Sequence, residues 1–147
     1  MIDFKSFNKL TKYAYDTADY ELLDRFPNPN NSKSSVDIIS PEFTMLCPVS
    51  GQPDFATIKV NYIPRKWCLE AKSWKLYLVS YRQYGISYES CVKKIMNDLV
   101  KLLDPEYMRV RAEFAPRGGI SFQPELYYDR KQGEMHVTDK ADRNLKR

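Results

Sequence analysis

The sequence predicts one α+β domain, an antiparallel four-stranded sheet covered on one face by two helices. Three observations carry that prediction. The chain has 147 residues, 43% hydrophobic and 29% charged, which suits one ordinary core and is too short for two. Two β-rich stretches precede two helix-forming ones, and two more β-rich stretches follow. The two helices are adjacent in the order β-β-α-α-β-β, which segregates helices from strands as α+β folds do.

Residues 1–40 are polar and turn-rich, and Phe26-Pro27-Asn28-Pro29-Asn30-Asn31-Ser32 is the strongest breaker cluster in the chain. They predict an N-terminal arm with one short helix before that cluster, whose Tyr13, Tyr15 and Tyr20 are available to dock on a neighbour. Residues 42–46 are β-rich. Residues 57–63 alternate Ile58, Val60 and Tyr62 with Lys59 and Asn61, the period-two pattern of a half-buried strand. The stretch between them, Cys47-Pro48-Val49-Ser50-Gly51-Gln52-Pro53-Asp54, is expected as a loop. Residues 69–82 are rich in helix formers. Residues 88–103 place Cys91, Val92, Ile95, Met96, Leu99, Val100 and Leu103 at helical spacing, with lysines, Asn97 and Asp98 on the other side. Residues 107–114 alternate again, and Gly118-Gly119 leads into Ile120-Ser121-Phe122, giving two strands around a tight turn. From 129 to 147 charges of both signs and few apolar groups predict a flexible tail. The sheet face away from the helices needs a cover. A small sheet with an apolar face left over commonly closes by side-by-side pairing of subunits, so self-assembly into a ring is expected, and a stable monomer in sedimentation would contradict it.

Bulk charge narrows the partners. Lys and Arg number 23 against 19 for Asp and Glu, a net charge of +4 and a pI near 8.9. That balance suits an anionic ligand such as a phosphorylated cofactor and is too mild to argue for nucleic acid. Met1-Ile2-Asp3-Phe4-Lys5 offers no basic leader with an apolar stretch behind it, and no run of 18 apolar residues occurs, so a cytosolic protein without a membrane span is expected. Three cysteines and one histidine give neither a disulfide framework nor a zinc-ligand spacing, so no metal is expected.

The loop at 47–54 sets a thiol and a carboxylate seven positions apart across a turn constrained by Pro48, Gly51 and Pro53. Such a pair suits attack by a thiolate on an electrophilic carbon, with the acid supplying a proton to the developing anion. On spacing alone the commoner explanation is a small buried cysteine and a turn-forming aspartate. No histidine lies nearby, which excludes a Cys/His pair. Glu89 stands in the first turn of the second helix, where a carboxylate either tempers the helix dipole or accepts hydrogen bonds from an amide and amine edge. Glu70-Ala71-Lys72-Ser73-Trp74-Lys75-Leu76-Tyr77 offers the ammonium groups of Lys72 and Lys75 to phosphates and a ring to a flat cofactor. With five glycines and no G-x-G-x-x-G, a dinucleotide would bind without the Rossmann fingerprint. Pro116-Arg117-Gly118-Gly119 puts an arginine on a glycine turn, within reach of a phosphate or simply at a hairpin.

Five segments resemble, in register, one family, the NADPH-dependent 7-cyano-7-deazaguanine reductases of the queuosine pathway. They are Phe43-Thr44-Met45-Leu46-Cys47-Pro48, Gly51-Gln52-Pro53-Asp54-Phe55-Ala56, the segment from Glu70 to Tyr77, Asn97-Asp98-Leu99, and Pro116-Arg117-Gly118-Gly119-Ile120. The resemblance spans roughly residues 40–125. It implies a tunnel fold with the catalytic domain at 41–128, in which Cys47 attacks the nitrile carbon to give a thioimidate and Asp54 donates protons. Two NADPH molecules in succession then deliver hydrides to make the aminomethyl product. It further implies that Glu89 anchors the deazaguanine, that Leu69, Glu70, Ala71 and Tyr88 line the substrate, and that Ala71, Lys72, Arg117 and Gly118 contact NADPH, with Lys75 beside them. Cys91 falls where many members carry a cysteine able to form a reversible disulfide with the nucleophile, protecting it from oxidation. Short members assemble as two stacked pentamers, with active sites shared between subunits.

The family usually has His-Glu where this chain has Tyr88-Glu89, and Ser or Leu where it has Ala71. Two other functions use parts of the same set. An amidine-forming relative keeps the Cys, Asp and Glu, adds ammonia to the nitrile to make archaeosine in tRNA, and lacks the cofactor segment, which here is almost intact. A non-catalytic deazaguanine-binding module would keep the grip of Glu89 without turnover.

Overall fold

A computed structural model describes residues 18–30, 34–132 and 134–136. Its elements are β1 (Arg25–Pro27), β2 (Val36–Leu46), β3 (Pro53–Ile63), β4 (Trp67–Leu69), α1 (Ala71–Val79), α2 (Tyr88–Leu103), β5 (Tyr107–Phe114), β6 (Glu125–Asp129) and β7 (Glu134–His136), preceded by a 3-10 turn at Tyr20–Leu22. The α+β class and the adjacent helices match expectation. The sheet does not stop at four strands. It has five in the antiparallel order β2-β3-β5-β6-β7, and β1 pairs with β4 in a separate two-stranded ribbon.

Each difference has a local cause. β2 starts six residues before its β-rich core because Val36 to Ser40 continue the ladder against β3, across a register shift between Ser40 and Phe43 that takes up Pro41 and Glu42. β3 starts at Pro53, so the loop after β2 is shorter than expected. Residues 120–122 form no strand. The Phe114 amide bonds to the Phe122 carbonyl and the Ala112 amide to the Pro124 carbonyl, but Pro124 has no N–H to return, and the regular ladder begins at Glu125. The expected arm and tail both contribute folded structure. Leu23 is buried, Tyr20 and Leu22 pack on the core, and β7 pairs with β6. Tyr13, Tyr15 and most of 129–147 lie outside the described residues.

The core lies between the sheet and the helices. Met45, Ile58, Val60, Tyr62, Met108, Val110 and Ala112 on one sheet face meet Cys91, Val92, Ile95, Met96 and Leu99 of α2, all at most 1% exposed. Ser87 caps α2 by accepting from the Ser90 amide, and Asp104 ends it in the left-handed region at φ 43°. The opposite sheet face carries ion pairs among apolar groups, with Ile39 and Phe55 exposed on it. Lys59 pairs with Glu113, and Arg109 and Arg111 both reach Glu125, whose side chain is only 3% exposed. Strand period two dictates this, since Arg109, Arg111 and Glu113 alternate with the buried Met108, Val110 and Ala112. No helix among the described residues is long and apolar enough to cross a membrane.

Candidate active site

Cys47 follows the last residue of β2, and Asp54 is the second residue of β3. Asp54 is the register partner of Met45. Two residues beyond Met45, Cys47 continues the same side of the strand, so the hairpin brings thiol and carboxylate to the helix-covered face. The loop is held by the Cys47 amide on the Gln52 carbonyl at 2.8 Å and the Gly51 amide on the Cys47 carbonyl at 2.9 Å, with Gly51 in the left-handed region at φ 69°.

The thiol is acidified. The Ser50 hydroxyl, then the backbone amides of Ser50 and Val49, then the Arg117 guanidinium bond to it and hold its pKa down from 9.0 to about 7. Donors converging on one sulfur stabilise the thiolate, the nucleophilic form. Ser50 is the member that residue patterns missed. It stood in a loop as an ordinary turn serine, and the only sequence signal was a hydroxyl three positions after the cysteine.

Asp54 is 5% exposed. Its Oδ1 accepts from Tyr88 Oη at 3.1 Å and lies 3.1 Å from Arg117 Nε, a charge-compensated burial. Tyr88 opens α2, and Arg117 opens the β5–β6 turn. Gly118 and Gly119 occupy both central positions of that turn at φ 58° and 77°, and Arg117 and Ile120 exchange two backbone hydrogen bonds across it. Positive φ at both positions is a type I′ requirement, and glycine meets it without strain. Phe114 and Phe122, expected only as strand residues, pack against the Tyr88 ring at 4.3 and 5.2 Å between centroids.

The remaining predicted residues separate into two groups. Cys47, Asp54, Tyr88, Arg117 and Gly118 gather at one end of the sheet, with exposed Glu89 beside Tyr88 in the first turn of α2. Leu69, Glu70, Ala71 and Lys72 stand at the other end. The Leu69 amide donates to Tyr62 Oη at 3.1 Å, and Tyr62 is eight residues along β3 from Asp54, about 26 Å at strand rise. The Glu70 carboxylate caps α1, accepting from the Lys72 and Ser73 amides at 2.9 and 2.7 Å, and those bonds hold its pKa down. Lys75 lines a cleft between α1 and the irregular part of β2, with Glu42, Trp74 and Arg82. Cys91 is a free, fully buried thiol, and burial pushes its pKa up.

Fold and site define a class, an α+β protein that presents an acidified thiol beside a buried carboxylate at one end of its sheet. The family model described as "QueF-like protein" matches residues 53–133, and the chain belongs to that family. Proteins named NADPH-dependent 7-cyano-7-deazaguanine reductase are similar over most of both chains. The Bacillus licheniformis protein is 49% identical over 122 residues, 82% of this chain and 73% of that one. The Bacillus cytotoxicus protein is 49% identical over 124 residues, 84% and 74% of the two chains. Among solved structures, an archaeosine synthase QueF-Like in the apo form superposes with a TM-score of 0.61 at 24% identity, over 65% of this chain and 94% of that one. At that identity the likeness concerns the fold alone.

Proposed function

We propose that this protein is an NADPH-dependent nitrile reductase that converts 7-cyano-7-deazaguanine to 7-aminomethyl-7-deazaguanine in the queuosine pathway. The observation that carries the reading is the Cys47 thiol, poised near pH 7 beside buried Asp54, in a chain half identical to reductases of that name. The Cys47 thiolate adds to the nitrile carbon. A C–S bond forms, one C–N π bond breaks toward nitrogen, and that nitrogen takes up a proton delivered through Asp54. Glu89 grips the amide and amine edge of the base.

The basic groups fit a phosphorylated dinucleotide. Arg117 is held firmly protonated, above all by its bonds to Tyr88, and Lys72 and Lys75 are exposed on α1. Arg117, Gly118, Ala71, Lys72 and Lys75 would hold NADPH, which supplies the hydrides, two for each nitrile taken to the aminomethyl group. Because these residues sit at opposite ends of one chain, the complete site needs a second copy. The working unit, residues 41–128 at its centre, closes into a tunnel as two stacked pentamers in the cytosol. Cys47 and Cys91 form the reversible protective disulfide, which requires a local opening of α2 around the buried thiol.

Mass spectrometry with the cyano base tests the nucleophile: the native chain gains one covalent adduct, and Cys47→Ala gains none. Asp54→Asn binds the base and loses at least about a hundredfold in NADPH oxidation at 340 nm. Normal turnover of that variant rejects Asp54 as the acid. Adduct formation without NADPH oxidation would instead favour the amidine-forming chemistry.

A further inference from the structure

Resemblance places Tyr88 against the substrate, but its hydroxyl is fully engaged inside the chain. A phenol has one proton to give and two lone pairs to fill. The proton goes to Asp54 Oδ1 at 3.1 Å, and the lone pairs accept from Arg117 Nε at 3.0 Å and Nη2 at 2.8 Å. The same Arg117 Nε faces Asp54 Oδ1 at 3.1 Å, and the guanidinium helps to hold the Cys47 pKa down. One hydroxyl therefore ties together the acid, the cation and, through the cation, the nucleophile.

We propose that Tyr88 is a positioning residue, whose hydroxyl fixes Arg117 between Asp54 and Cys47 rather than touching the base. Arg117 is a long side chain, 39% exposed, on a two-glycine turn. A single shared carboxylate oxygen does not hold such a group in one rotamer against solvent. Tyr88 can, because its ring packs against both Phe114 and Phe122 at the start of a capped helix, so its oxygen is a rigid second acceptor. With Arg117 held, buried Asp54 keeps its counter-charge and the thiolate keeps its cationic neighbour. This deepens the reductase reading and rests on it for the choice of the cyano base as a probe.

Tyr88→Phe keeps the packed ring and removes only the hydroxyl. Two readouts are taken on the whole chain: the pH at which iodoacetamide alkylation of Cys47 is half-maximal, and the rate of adduct formation with the cyano base. In Tyr88→Phe the alkylation midpoint rises and the adduct rate at pH 7 falls about ten- to a hundredfold, the cost of a misplaced catalytic group. Wild-type values for both would overturn the proposal. Tyr88→His supplies a ring that, when neutral, accepts at one nitrogen and donates at the other. It recovers adduct formation above about pH 6.5 and loses it below more steeply than the wild-type chain, whose own acidic limb is the protonation of Cys47, as the imidazole takes up its second proton and ceases to accept. If circular dichroism shows Tyr88→Phe unfolded, Tyr88→His decides alone, and a profile no steeper than that of the wild-type chain would overturn the proposal. Should the wild-type chain form no adduct while the alkylation midpoint still shifts in Tyr88→Phe, the reductase reading falls and the role of Tyr88 stands.

Discussion

At the scale of single residues, the reactivity of Cys47 is decided by groups with no chemistry of their own. A thiol with a pKa of about 7 is half thiolate at neutral pH, whereas at the ordinary 9.0 only about one molecule in a hundred is. Ser50 is the largest contributor to that difference. Ser50→Ala therefore moves the alkylation midpoint up toward 9.0, slowing iodoacetamide labelling several-fold at pH 7 and leaving the rate at pH 10 unchanged. An unchanged midpoint would assign the acidification to the backbone amides and Arg117. The sequence offered the Cys47–Asp54 spacing but could not rank it above a buried cysteine and a turn aspartate. What tips the balance is the direction of two amides and a hydroxyl in a six-residue loop, and residue identities do not encode directions. The family motifs name Cys47 and Asp54 as nucleophile and acid and set Tyr88 against the substrate, but a motif carries over a position and not the partners a substituted side chain finds there.

Among elements, the two helices are joined by a polar network at their contact. Tyr77 of α1 donates to Asp98 of α2 at 2.6 Å and shares a 2.8 Å bond with Tyr81, while Lys94 pairs with Asp98 at 2.9 Å. Tyr77 and Tyr81 are fully buried. Tyr77→Phe leaves the Asp98 carboxylate and the Tyr81 hydroxyl each short of a partner and is expected to cost about 1–3 kcal/mol in urea unfolding. Burial also pushes both phenols above their ordinary 10.0. Their contribution to stability is present in full below pH 10 and is lost as pH rises beyond it, so Tyr77→Phe also weakens the alkaline fall in unfolding free energy. A variant as stable as wild type would show the network to be surplus. α2 was legible to the residue, since seven apolar side chains at helical spacing leave one solution. Strand ends were not. β2 and the β5–β6 connection depend on which backbone amides find partners across the sheet, and a single proline at 124 moved a strand by several residues.

For the whole molecule, the unanswered distance is the one between the two groups of site residues. Cys47 and Asp54 stand about 26 Å along β3 from Tyr62, which holds the Leu69 amide, and no rigid fold of one chain brings Leu69 to Lys72 onto the thiol. Local patterns could not show this, because every segment fitted one family while the sheet put them at opposite ends. The sheet also leaves β2 as an edge, and an edge strand is a ready surface for pairing with another copy. If sites form between copies, two defective chains can repair each other. Cys47→Ala lacks the nucleophile at one end, and Lys72→Ala lacks the cation at the other. Each alone is inactive or nearly so. Dissociated, mixed in equal amounts and reassembled, they place an intact Cys47 opposite an intact Lys72 at about one interface in four, so about a quarter of wild-type NADPH oxidation returns. Mixing without dissociation returns less, because the copies exchange slowly. No recovery after verified reassembly would mean that each chain completes its own site, and the separation along β3 would then have to close by a conformational change within one subunit.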